Sequence, residues 1–259
     1  MAFEFDGEKY KRASDQQKVW GKGLISELKL AGHERILDLG CGDGALTAEL
    51  AERVPGGFVL GIDASESMIA TARKDHSGTN LQFKLHDINQ IDFKSEFDMV
   101  FSNATLHWIK NHNTLLRNVF NCLRDGGIAR FQFAADGNCS NLIRILHEVM
   151  SESPYTDTFR EFDWPWYMPT CQKYRALLDA VPFTETEVWC TNADRYFESS
   201  SAMTRWIDQP SLVPFLGWID ESDRQCFRDT VVNRMIDETQ QDDGTCFETF
   251  RRINVWARK

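Results

Sequence analysis

At 259 residues, 42% of them hydrophobic, the chain is long enough to bury one sizeable core without staples, with an inserted or appended cap in preference to two independent domains. Its formal net charge of −10, without clustered Lys and Arg, argues against binding a nucleic-acid backbone, which such clusters hold. No apolar stretch reaches the ~20 residues of a membrane span, no basic segment followed by an apolar one opens the chain, and the seven scattered cysteines form no Cys-x-x-Cys pair, which together predict a reduced, cytoplasmic protein.

Residues 8–30 read as an N-terminal helical segment. The run Ile36-Leu37-Asp38-Leu39 that follows has the composition of a parallel strand covered on both faces. Gly40, Gly42 and Gly44 come directly after it and lead into a helix from Ala45. Glycines at such a place let the backbone turn tightly and approach a ligand, and the free N–H groups of the next helix point at it. Several nucleotide cofactors use a turn of this kind, but two details narrow the choice. No Gly-Lys-Ser/Thr ending provides for a nucleoside triphosphate and its magnesium. The spacing is Gly-x-Gly-x-Gly and not the Gly-x-Gly-x-x-Gly of dinucleotide turns, and Asp38 at the strand end repels phosphate and attracts an ammonium.

A second strand over 58–63 ends in Asp63, about 20 residues past the glycines, where a carboxylate can accept both hydroxyls of a ribose. Asp63 or Ser65 can also cap the helix that follows over 66–73, in which Met68 either nears an adenine ring or fills the core. A third strand over 81–85 runs into Asp87-Ile88. Residues 97–101 form an unalternating, central strand, and Ser102, Asn103, His107 and Trp108 leave its carboxyl end, where open α/β sheets bind ligands. Beyond lie a helix over 115–123, a turn at 124–127, a strand over 128–133 and a helix over 141–150. An aromatic loop interrupted by Pro165 and Pro169 comes next, then a helix over 172–180 and a strand over 186–190. Helical stretches over 200–208 and 221–238 precede one closing strand over 247–257. Three segments result: an N-terminal helical cap (1–33), a cofactor-binding core (34–135), and the rest of the sheet with an inserted helical and aromatic lid (136–259). Trp164, Trp206 and Trp218 are candidate lid residues, although tryptophans mostly serve as core.

Asp38-Leu39-Gly40-Cys41-Gly42-Asp43-Gly44 resembles motif I of the class I methyltransferases that use S-adenosylmethionine. The order of this motif, Asp63, Asp87-Ile88, Leu106-His107-Trp108, Asp125-Gly126-Gly127 and a Phe-rich closing strand is similar to that of the trans-aconitate, malonyl-carrier-protein and juvenile-hormone-acid methyltransferases. The resemblance implies an α/β fold: a Rossmann-like, seven-stranded, mostly parallel sheet with helices on both faces, an antiparallel last strand beside the fifth, and a helical cap. It also implies S-adenosyl-L-methionine as cofactor and S-adenosyl-L-homocysteine as product. The cofactor contacts it implies are Tyr10, Arg12, Asp38, Gly40, Cys41, Gly42, Gly44, Asp63, Ala64, Met68, Asp87, Ile88, Ser102, Asn103 and His107, with Asp87 accepting from the adenine amine and Ile88 packing on its ring.

The same resemblance assigns Gln17 and Trp108 to a substrate carboxylate, which neutral N–H donors orient without neutralising its nucleophilic oxygen. A carboxylate is ionised at neutral pH and needs no base. An amine, phenol or carbon acid would need one, and His107 is best placed, with His112 second. No grouped carboxylates suggest a metal. The expectation is O-methylation of a small carboxylic acid by a monomer or homodimer that binds neither nucleic acid nor membrane. The alternatives are N-, C- or hydroxyl methylation with His107 as base, or a non-catalytic cofactor-binding protein. No arginine stands out as the partner of a tricarboxylate.

Overall fold

A computed structural model describes residues 15–259. Tyr10 and Arg12 lie outside the described residues. The chain forms two compact units, the first comprising residues up to Asp136, Trp166–Thr191 and Arg252–Lys259, the second Gly137–Pro165 and Asn192–Arg251.

The first unit is built on a seven-stranded sheet. Strands β1 (Arg35–Leu39), β2 (Phe58–Asp63), β3 (Leu81–Leu85), β4 (Phe97–Asn103), β5 (Leu123–Ala134), β6 (Glu185–Asn192) and β9 (Arg251–Arg258) stand in the order β3-β2-β1-β4-β5-β9-β6. The first five are parallel to one another, and β9 runs antiparallel to β5, as the resemblance implies. β1 and β4 are buried along nearly their whole length, so they read as apolar runs, whereas the edge strands β3 and β6 are largely exposed. The period of two sorts the core. Ile36, Val59, Met99 and Phe101 meet Leu24 and Ile25 of helix α1 (Asp15–Glu27) and Leu50 of α2 (Ala45–Arg53). Leu37, Leu39, Leu60 and Val100 face the other way, toward Leu115, Leu116 and Val119 of α4 (His112–Cys122) and Tyr174 and Leu178 of α6 (Cys171–Asp179). Helix α3 (Glu66–Asp75) completes this unit, its Ile69 and Ala72 packed with Cys41 and Phe83.

The second unit holds α5 (Ser140–Ser151), α7 (Ser200–Trp206), α8 (Val213–Trp218), α9 (Glu221–Thr239) and a two-stranded ribbon of β7 (Arg195–Phe197) with β8 (Cys246–Glu248). Its centre is aromatic: Phe159 packs against Phe162 and Phe227, and Phe162 against Phe215 and Trp218. Trp206 is buried against Phe197 and Phe250.

Several expectations need correction. The N-terminal helix ends at Glu27, short of residue 30, and α4 starts three residues early because Asn111 caps it, accepting from Thr114 N at 3.0 Å. The turn expected at 124–127 lies within β5 as a bulge. Leu123 pairs with Phe97 and Ile128 with Met99, so the extra residues loop out around Gly126, at φ +78°. The single closing strand is two, β8 and β9, because the chain leaves the ribbon at Thr249 and enters the large sheet at Arg251. The helix expected to reach residue 208 ends at Trp206 in a π-turn, where Gln209, held extended by the proline after it, breaks the helix. The fully reduced chain is also corrected: Cys171, opening α6, is bonded to Cys190 on β6. No helix of the described residues is long and apolar enough to cross a membrane.

Candidate active site

Between β1 and α2 the chain turns on three glycines, all in the left-handed region: Gly40 (φ +74°), Gly42 (φ +54°) and Gly44 (φ +81°). The turn is pinned to the next strand by Gly40 N and Cys41 N, both donating to Ile62 O, and by Gly42 N donating to Asp63 Oδ2 at 3.0 Å. Each glycine answers a different demand. A Cβ on Gly40 would stand 2.1 Å from Thr105, and one on Gly44 would meet the Phe83 ring at 2.7 Å. On Gly42 it would enter open space, the room a ligand needs beside the backbone.

Below this turn Asp38 is 2% exposed and accepts a hydrogen bond from Thr47 Oγ1 at 2.7 Å. Burial, reinforced by the charge of Asp63, pushes its carboxyl up to about 7 despite that bond. Asp63 also accepts from Ser65 N at 3.0 Å, and Ser65 Oγ caps α3 by accepting from Met68 N, so the capping role expected for this pair falls to Ser65. Ala64 is half-buried between them, and Met68 is 2% exposed. Burial and the carboxylates of Asp63 and Asp38 hold the Cys41 thiol protonated. Asp87 caps a 3-10 turn over Ile88–Gln90 through Asn89 N at 2.8 Å, and Ile88 is buried in the core.

The carboxyl end of β4 supplies the next wall. Ser102 is buried and donates to Leu39 O at 2.7 Å, tying β4 to β1 just below the glycine turn. Asn103 Nδ2 donates to Gln17 O at 2.9 Å and fixes α1 over the strand end. Gln17, Gly40, Cys41, Gly42, Asn103 and Thr105 line one cleft. Gln17 Oε1 and Asn103 Oδ1 are buried there without a hydrogen-bond partner, acceptors left for a ligand to satisfy.

Leu106-His107-Trp108 forms a 3-10 turn. Trp108 is not part of that cleft's lining; it stands edge-on to Trp166 at 5.8 Å between ring centroids, and the His107 ring lies 5.4 Å from its own. Tyr167 N bonds to His107 O, and His112, buried, bonds through Nε2 to Leu106 O and through Nδ1 to Tyr174 Oη. His112 is thus a structural prop for the turn. Burial, with the positive charge of Arg252 next, drops the His107 imidazole to about 3, so it is neutral at physiological pH.

Three groups at the site carried no clear sequence signal. Lys18 Nζ forms an ion pair with Asp43 at 2.7 Å, linking α1 to the glycine turn. Thr47 is needed only because helix geometry returns it beneath Asp38. Arg252 belongs to an alternating strand in which Ile253, Val255 and Ala257 enter one core cluster and Arg252 and Asn254 take the opposite face, so what Arg252 meets there depends on the register of the strand in the sheet.

A buried, proton-sharing acid, open space over Gly42 and unsatisfied buried acceptors suit a small cationic cofactor with hydroxyl and amine donors. Known proteins agree. The family described as a methyltransferase domain matches residues 36–127. An uncharacterized methyltransferase of Schizosaccharomyces pombe is 31% identical over 92% of this chain and 91% of its own length. The chain belongs to the class I S-adenosylmethionine-dependent methyltransferases. A trans-aconitate 2-methyltransferase of Shigella dysenteriae is 29% identical over 91% of the chain and 90% of its own length. The Haemonchus contortus phosphoethanolamine N-methyltransferase 2, solved with S-adenosyl-L-methionine, shares the fold with a TM-score of 0.62 at 15% identity, over 98% of this chain and 56% of that one. This methyltransferase therefore uses S-adenosylmethionine, and the residues around the glycine turn have the chemistry to hold it.

Proposed function

We propose that this methyltransferase esterifies a carboxylate of a small organic acid. The observation that carries the reading is His107, half-buried, with its Nδ1 buried and without a hydrogen-bond partner, and neutral. With its imidazole at about 3 it accepts a proton only from strong acids, which suits a nucleophile that arrives already ionised and not an amine or phenol awaiting deprotonation. Relatives named trans-aconitate 2-methyltransferases support the same class of acceptor.

When bound, S-adenosylmethionine supplies a methyl group activated by its sulfonium. In this reading Asp38 receives the cofactor ammonium, Asp63 its ribose, and Asp87 with Ile88 and Met68 its adenine. Gly40, Cys41, Gly42 and Gly44 lie along its length, with Ala64, Ser102, Asn103 and His107 completing the walls. Gln17 and Trp108 hold the substrate carboxylate with neutral donors, so that rate comes from alignment and exclusion of water and not from proton transfer. The substrate is a small molecule and the enzyme acts as a monomer or homodimer. A cytoplasmic setting belongs to the same proposal.

A panel of small carboxylic acids, assayed by release of S-adenosylhomocysteine, tests the reading. At least one acid is expected to be turned over, with Gln17→Ala and Trp108→Ala each lowering kcat/KM on it by tenfold or more. Unchanged rates in both variants would remove the proposed clamp, and turnover of amines alone would remove the carboxylate.

A further inference from the structure

The bridge between Cys171 and Cys190 stands where a thiol can reach it. Cys190 is exposed on β6, an edge strand of the large sheet, whereas Cys171 is half-buried as the first residue of α6. Four of the five remaining cysteines are buried, and the fifth, Cys226, lies exposed on α9. The two bridged sulfurs differ in a way that gives exchange a direction. The exposed sulfur is the one open to attack, and a thiolate at the first residue of a helix is stabilised by the helix N-terminus, which makes Cys171 the better leaving group. The bridge also fastens a support of the site. Tyr174, one turn into α6 and fully buried, bonds through Oη to His112 Nδ1 at 3.1 Å, and His112 Nε2 bonds to Leu106 O at 3.0 Å. Just before α6, Tyr167 N donates to His107 O at 2.8 Å, and Trp166 stands edge-on to Trp108. Both supports of the turn Leu106–Trp108 thus lead to the end of α6 that the bridge ties to β6. Further along the helix Arg175 donates to Val188 O at 2.9 Å, a tie that thiols do not touch.

We propose that Cys171–Cys190 is a thiol-exchange site, open to small thiols and dithiol reductants, whose state sets how firmly the turn Leu106–Trp108 is held. The entering thiolate attacks Sγ of Cys190. The bond between the two cysteines breaks, its electron pair leaves on Cys171, and a mixed disulfide remains on Cys190. The second thiol of a dithiol then displaces Cys190, so the reductant is oxidised to its own disulfide while the protein gains two electrons and two protons. A monothiol stops at the adduct on Cys190 until a second molecule displaces it. In either product Cys171 is released from β6, so the first turn of α6 loses its anchor at the sheet edge and opens locally more often. Bridges in a thiol-rich compartment, the setting proposed above, usually serve exchange and sensing and not scaffolding. Exchange at the bridge depends on the fold alone; its effect on turnover rests on the carboxylate reading above.

The test uses the whole protein without denaturant. It is exposed to dithiothreitol or to reduced glutathione, quenched with iodoacetamide and mapped by peptide mass. Dithiothreitol is expected to open the bridge and add label to Cys171 and Cys190, while the four buried cysteines stay unlabelled and Cys226 labels with or without it. Glutathione is expected to leave its adduct on Cys190 and the label on Cys171. Hydrogen exchange read by mass spectrometry then compares bridged and opened protein. Peptides covering 105–109 and 166–174 should exchange about tenfold faster once the bridge is open, and β4 should not change. Cys190→Ser should show the fast exchange without any thiol, and if that variant does not fold, the wild-type comparison decides alone. A bridge that opens only in denaturant, an adduct found on Cys171, acceleration spread equally over β4, or no acceleration at all would overturn the proposal. With trans-aconitate as substrate, KM should rise about threefold in the opened enzyme, and an unchanged KM would remove the link to turnover. If none of the panel of acids is turned over, the carboxylate reading falls while labelling and hydrogen exchange still judge the bridge.

Discussion

In the proposed site, Asp38 sets a conflict between stability and binding in a single side chain. Its folded pKa of about 7 lies above the ordinary 3.8, so its contribution to stability is fully present near pH 4 and is lost as pH rises through 7. Asp38→Asn should therefore stabilise the cofactor-free protein at pH 8, by about 1–3 kcal/mol, while weakening S-adenosylmethionine at least tenfold. Wild-type affinity should fall as pH drops below about 7, and the variant should lack that slope; melting curves and calorimetry at pH 5.5–8.5 check both. The glycines separate folding from binding in the same way. Gly40→Ala meets Thr105 and a φ of +74°, and should cost about 1–3 kcal/mol of stability. Gly42→Ala meets open space, so its main effect should be on cofactor affinity, read by calorimetry. These acids and glycines were legible because each sits at a strand end, where the sequence pattern marks the place. Lys18, Thr47 and Arg252 were not, since their positions depend on helix phase and strand register.

Glu248 shows how an element is held by one buried group. This residue of β8 is fully buried and accepts from Leu142 N at 3.0 Å and from Asn141 N and Thr249 N, so it answers the free N–H groups at the start of α5. Glu248→Ala should destabilise the second unit by about 2–4 kcal/mol, and Glu248→Gln by less because it keeps an acceptor. Urea unfolding of the two variants checks the order. Glu248 also explains why one closing strand was expected where two exist. Residues 247–257 alternate well enough for a strand throughout, and nothing local marks the change of sheet at Thr249. Where burial on both faces dictates composition, as in β1, β2 and β4, the strands were legible nearly to the residue. The bulge in β5 was read as a turn because Gly126-Gly127 carries the same local signal in either setting.

Across the whole molecule, acid should act on stability and function together. His107 and His112 are held neutral at about 3 and about 4 by burial, so their contribution is present above pH 6.5 and is lost as pH falls through those values. Asp38 contributes with the opposite sign between pH 7 and 4. The expected outcome is a falling Tm from pH 6.5 to 4, steeper in Asp38→Asn, which lacks the offset; thermal melts across that range check it. The order of strands and the cofactor class were legible because they rest on the glycine turn and on three acids spaced along the chain. The acceptor was not, because the groups proposed to hold it come from α1 and from the turn after β4, brought together only by folding.

The most direct measurement is the bond that forms. Purified enzyme is incubated with trans-aconitate and S-adenosylmethionine carrying a labelled methyl group, and the product is treated with mild alkali. Release of the label as methanol is the result expected of a carboxylate ester. Label that stays on the product through alkali would mean methylation at nitrogen, carbon or an ether oxygen, and would contradict it.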